Sequence, residues 1–131
     1  MQTRQQDVCA LRSLRLTMDV VTFREYCLRK KGASEHLPFD DRTLVFKVGG
    51  KMFALCDIES FVGANLKCDP ERAVELREQY SGITGGYHMN KKHWNTVATE
   101  GDVPDHLFTE LIDHSYELVR SSLPKKEREK L

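Results

Sequence analysis

Thr43-Leu44-Val45-Phe46-Lys47-Val48-Gly49-Gly50-Lys51-Met52-Phe53-Ala54-Leu55-Cys56-Asp57 is the stretch that decides the fold. Two runs rich in β-branched, aromatic and aliphatic residues flank a Gly-Gly pair. Primed two-residue turns need positive φ at both central positions, and glycine alone adopts it at no steric cost. The stretch therefore predicts a tight β-hairpin. Strand alternation would put Leu44, Phe46 and Val48 on one face, with Met52, Ala54 and Cys56 opposite them. Lys47 and Lys51 flank the turn.

Working outward, Asp19 suits a helix N-cap, and Val20, Phe23 and Cys27 recur at helical spacing. Lys30 and Lys31 suit the C-terminal dipole and Gly32 the stop, so the first helix is predicted over about 20–31. Residues 33–42, with Pro38 and Asp40-Asp41, read as turn. After the hairpin, Ala64 to Cys68 reads as a third strand. Asp69-Pro70-Glu71 combines an acceptor cap, a first-turn proline and an acid near the dipole, and starts a helix over about 70–80 that buries Ala73 and Leu76. Ser81 to Gly86 breaks it. Tyr87 to Asn90 and Trp94 to Thr99 read as two more strands, joined through Lys91-Lys92-His93. Pro104 opens a long helix to Ser122, with Leu107, Phe108, Leu111, Ile112, Ser115, Leu118 and Val119 as its apolar stripe. Pro124 ends it. The predicted class is α+β: a two-layer α-β(3)-α-β(2)-α domain with a mainly antiparallel five-stranded sheet over residues 19–124. Residues 1–18 form an N-terminal extension outside the domain, and residues 125–131 a charged, frayed tail.

Composition constrains function more by exclusion. The 131 residues are 40% hydrophobic and 31% charged, with 20 basic and 20 acidic side chains, so formal net charge is zero. Nucleic-acid binding on such a chain requires a local basic patch, because phosphate neutralisation drives affinity. Cys9, Cys27, Cys56 and Cys68 have irregular spacing and no C-x-x-C, which predicts reduced, mostly buried thiols. The N-terminal residues lack a secretory signal, and no apolar run spans a bilayer. Together these predict a cytoplasmic protein with no membrane association, monomeric or homodimeric, without cofactor or metal. No nucleophile elbow, phosphate loop or dinucleotide fingerprint occurs, so no catalytic centre is expected.

Three stretches together resemble the MmcQ/YjbR family. They are residues 43–55, then Asn65-Leu66-Lys67-Cys68-Asp69-Pro70-Glu71-Arg72-Ala73, then Gly86-Tyr87-His88-Met89-Asn90-Lys91-Lys92-His93-Trp94-Asn95-Thr96-Val97. Leu111 to Tyr116 is similar to the family's last helix. The resemblance covers about residues 19–126. It implies a fold similar to the CyaY and secretion-chaperone arrangement, and DNA binding of a regulatory kind through two hairpin "wings".

The residues beside this resemblance are consistent with it. His88, Asn90, Lys91, Lys92, His93 and Asn95 surround the second turn, mixing cations for phosphates with polar groups. Lys47 and Lys51, with Lys67, would form a second basic edge. The plainer reading makes these lysines solvated strand-edge residues and puts Trp94 in the core. His88 and His93 lack the further ligands that zinc demands. Two other functions stay open: a protein-interaction or chaperone-like domain, and a small-ligand pocket lined by Tyr87, His88 and Trp94.

Overall fold

The computed structural model describes residues 18–87 and 89–131; residues 1–17, Cys9 among them, and His88 lie outside the described residues, whereas Met18, expected in the extension, is buried in the core. The element order is α1 (Val20–Leu28), β1 (Ala33–His36), β2 (Thr43–Val48), β3 (Lys51–Asp57), β4 (Gly63–Lys67), α2 (Pro70–Gln79), β5 (Ile83–Gly85), β6 (Trp94–Ala98), α3 (Asp105–Ser122) and α4 (Lys125–Arg128). The sheet has six strands in the order β1-β2-β3-β4-β6-β5, and every neighbouring pair is antiparallel. No described helix is long and apolar enough to cross a membrane.

The deciding hairpin forms as its sequence demands. Gly49 and Gly50 have φ of 58° and 80°, the positive values a primed turn requires. Gly50 has open space around it, so a substitution there is penalised by backbone conformation alone. Gly50→Val is expected to lower stability by about 1–3 kcal/mol, read as a shift in denaturant midpoint. A midpoint equal to wild type would mean that the positive φ costs nothing.

Asp19 and Asp69 cap α1 and α2 by accepting the amides of Thr22 and Arg72 at 2.7 and 3.2 Å. The helices α1, α2 and α3 lie on one face of the sheet. There Phe23 and Cys27 of α1, Ala73 and Leu76 of α2, and Leu111, Ile112 and Val119 of α3 meet Leu44, Phe46, Ala54, Leu66 and Val97 from the strands. Phe23 sits at the centre, with ring centroids 5.6, 5.3 and 6.1 Å from Phe46, Phe61 and Phe108.

The structure departs from the expected order at five places. The first helix ends at Leu28, three residues early, because a turn intervenes before Gly32. Ala33–His36 is an edge strand, where a loop was expected; its Ala-Ser-Glu-His sequence carries no apolar alternation, and only its pairing with β2 holds it extended. Ile83–Gly85 is the other edge, three residues anchored by buried Ile83. Tyr87, Met89 and Asn90, expected within a strand, lie in the turn that joins β5 to β6. The Asn90 side chain accepts the Lys92 amide at 2.8 Å, and its carbonyl accepts the amides of His93 and Trp94, so local Asx chemistry overrides strand propensity. Finally, the charged tail is not frayed: it forms the short α4, and Leu131 packs against the core beside Gly32.

A β-bulge also revises the hairpin's faces. Phe46 pairs with Ala54, but the next residue, Lys47, pairs with Met52, leaving Phe53 as the extra residue. Phe53 and Ala54 thus both enter the core, and Met52 turns to the opposite face, against expectation.

Candidate nucleic-acid interface

Antiparallel topology sorts the charge of this neutral chain. By register, the start of β1, the β2–β3 turn, the end of β4 and the start of β6 all lie at one end of the sheet. The C-terminus of α3 reaches the same end: Leu123 packs against Gly49, and Lys51 Nζ lies 3.5 Å from Ser122 Oγ. The connections at this end carry Lys30, Lys31, Lys47, Lys51, Lys67, Lys91 and Lys92, followed by Lys125, Lys126 and Arg128 of α4. Asp69, Glu71, Glu75, Glu127 and Glu129 are acids at this end, and Lys30 is paired with Asp113 of α3.

The opposite end is acidic. Its loops and helix starts carry Asp19, Asp40, Asp41, Asp57, Glu59, Glu100, Asp102 and Asp105. Several of these acids build the turns. Asp40 accepts the amides of Arg42 and Thr43, Asp57 those of Glu59 and Ser60, and Asp102 those of Ser81 and Gly82. Those N–H donors hold all three carboxyls below the usual carboxylate range. Burial, reinforced by Asp19, pushes the Asp105 carboxyl up. Arg42, the cation of the 37–42 loop, is paired with Asp57 at 2.7 Å and Glu59 at 3.4 Å.

The eight expected site residues divide sharply. Lys51 and Lys92 are exposed, and Lys47 is half-buried; among the described residues none of the three forms an ion pair. Lys91 is partly structural, because its ammonium donates to the Gly86 carbonyl at 3.0 Å. Lys91 and Lys92 also share a shallow depression with Glu71 and Glu75, which offset their charge locally. Asn90 spends its side-chain oxygen on the turn, and His93 is half-buried. Asn95 is a correction: at 2% exposure it faces the helical layer, donating to the Ala73 carbonyl at 3.4 Å and accepting from Arg77 at 3.1 Å, so it cannot meet a ligand. His88 lies outside the described residues. The second hairpin is formed by β5 and β6, with Gly85 pairing Asn95, so its first strand is Ile83–Gly85 and not the expected Tyr87 to Asn90.

The thiols of Cys27, Cys56 and Cys68 are free and buried. Burial pushes Cys56 up to about 12 and Cys68 up to about 11, and raises Cys27 further, so none is a thiolate at neutral pH. His114 Nε2 accepts the Asp69 amide at 3.2 Å, joining α3 to the cap of α2.

The face of the sheet away from the helices is open. Val45, Leu55 and Trp94 form a small buried cluster on it, flanked by Met52 and Met89. Beside them runs a groove of about 850 Å³. Leu55, Asn65, Thr96 and Thr84 line up across its floor, while Phe39, Val62 and Tyr87 stand on its rim at 66%, 73% and 68% exposure. The Tyr87 segment is pinned to that floor. Thr96 Oγ1 accepts the Tyr87 amide at 2.9 Å and donates to Asn65 Oδ1, and Asn65 Nδ2 donates to the Tyr87 carbonyl at 3.2 Å. Of the residues expected to line a small-ligand pocket, Tyr87 lines the groove, Trp94 is only 8% exposed and lies beneath, and His88 lies outside the described residues. Asp57 is the one charged side chain lining it among the described residues. Periodicity could not find this groove, because Phe39 and Tyr87 come from loops.

These features define an α+β domain with one helical face, one open sheet face and charge divided between its two ends. The chain belongs to the YjbR family, whose model matches residues 28–118. The uncharacterised protein YjbR of Escherichia coli K12 is 34% identical over 115 residues, covering 87% of this chain and 98% of that protein. The uncharacterised protein YbdF of Escherichia coli O157:H7 is 37% identical over 95 residues, covering 72% of this chain and 78% of that protein. Among solved structures, Deinococcus radiodurans DR2400, with a DUF419 domain, superposes with a TM-score of 0.82 at 44% identity, covering 87% of this chain and 88% of that one. A Pseudomonas syringae protein superposes with a TM-score of 0.66 at 28% identity, covering 78% of this chain and 99% of that one.

Proposed function

We propose that the protein is a non-catalytic nucleic-acid-binding module that engages phosphates with the basic end of its sheet. The observation that carries this reading is the sorting of a balanced charge into a basic and an acidic end. A neutral chain would attract phosphate only weakly if its charges were mixed, whereas a segregated one presents a positive surface and steers its own orientation. The β2–β3 turn and the 86–93 turn both open onto this surface, separated by about three strand spacings, roughly 14 Å. This keeps the two-point contact expected of two hairpins, the second being the short β5–β6 pair.

An acidic protein surface would be drawn to the same lysines, so the test must read phosphate directly. Duplex DNA of arbitrary sequence, titrated at a series of salt concentrations, is expected to bind with an affinity that falls linearly on a log–log plot. Lys51→Ala combined with Lys92→Ala should reduce the slope by about two, since each phosphate contact contributes roughly 0.9. Lys91 is left intact because it supports the Gly86 carbonyl. Absence of binding at low salt, or an unchanged slope in the double variant, would remove the proposal in favour of a protein partner.

A further inference from the structure

We infer that the groove on the open sheet face receives the unpaired bases of a single-stranded nucleic acid whose phosphates lie along Lys47 and Lys67. This rests on the proposed function and narrows it to a class of ligand.

The basic end and the groove are one continuous surface. Lys47 pairs in register with Met52, and Lys67 with Trp94; both partners belong to the open-face cluster, so both lysines stand on that face, at the mouth of the groove. One strand separates β2 from β4, which sets the two lysine backbones roughly 10 Å apart. Neither lysine has a hydrogen bond or ion pair for its ammonium among the described residues.

Past these lysines the surface changes character. Among the described residues no cation lines the groove, and Asp57 at its far end repels anions. What it offers is uncharged: the rings of Phe39 and Tyr87, the thioethers of Met52 and Met89, and the hydroxyl of Thr84. That is the chemistry of a base, with a flat apolar face and polar edges. In a duplex each base hides both faces in the stack, so rim aromatics would find nothing to stack on. Unpaired bases leave those faces open. The order of features, cations at the mouth and neutral aromatics within, matches the order of phosphate and base along a strand. A purely apolar small molecule would fill the groove without using the lysines.

The test is fluorescence anisotropy with the full chain, using a labelled oligothymidylate of about twelve nucleotides and a duplex of the same length. The single strand is expected to bind more tightly. Tyr87→Ala should weaken single-strand binding by about 5- to 150-fold, the range for losing one stacked base, with duplex binding and the unfolding midpoint unchanged. Tyr87→Phe keeps the ring and should bind like wild type. Equal or tighter duplex binding, with oligothymidylate affinity indifferent to Tyr87→Ala, would overturn this inference while leaving the basic-end reading standing. Binding of neither probe at low salt would overturn both.

Discussion

Trp94→Ala is expected to cost about 3–5 kcal/mol of folding stability, towards the lower end of that range. The indole is 8% exposed and packs with Val45 and Leu55 on the sheet face that carries no helix. The lower end follows from its neighbours. Met52 and Met89 flank the cluster with flexible side chains that can slump into part of the gap. The backbone at this position is also crowded: a Cβ on Gly86 would lie 2.7 Å from that of Trp94, so this close approach leaves room only for glycine. Urea unfolding measures the effect. A loss below about 1 kcal/mol, accompanied by weakened nucleic-acid binding, would mean that Trp94 is a stacking residue and that its burial is not maintained in solution.

Ser115→Ala removes one oxygen from the middle of α3 and is expected to cost about 2–4 kcal/mol. The β3–β4 ladder stops at Ala54 and Leu66, one step short of Phe53 and Lys67, because the bulge at Phe53 breaks the pairing. The Ser115 hydroxyl bridges that gap. It donates to the Phe53 carbonyl and accepts the Lys67 amide at 2.9 Å. Ser115 is fully buried, so its removal leaves a carbonyl and an amide without water to replace it. The denaturant midpoint reads the loss directly. A variant within about 0.5 kcal/mol of wild type would show that the two groups find other partners.

Trp94 was expected in the core, but neither the face it occupies nor the bridging role of Ser115 was visible. Ser115 reads in sequence as a small member of the α3 stripe, and its hydroxyl acquires a purpose only where a bulge in a distant strand leaves backbone groups unpaired. Trp94 alternates in phase with Thr96 and Ala98, which predicts a shared face but not which face the helices cover. Asn95 shows the same limit from the other side. It sits between two residues of a basic-aromatic stretch, reads as a ligand contact, and is instead consumed by Ala73 and Arg77 of α2.

Where local chemistry is decisive, neighbouring residues dictate the structure. Gly49-Gly50 can satisfy a primed turn, Asp69-Pro70 can start a helix, and α3 repeats its apolar residues at the helical period, so each element follows from residues within a few positions of one another. The edge strands β1 and β5 obey no such rule, because a short polar strand gains its hydrogen bonds only from a neighbour far away in sequence. The functional surface belongs to this second kind. Zero net charge is a property of the composition, and the basic and acidic ends are a property of strand order. Antiparallel pairing brings connections as distant as residues 49–51 and 91–92 to one end of the sheet, and a one-dimensional charge count carries no record of that.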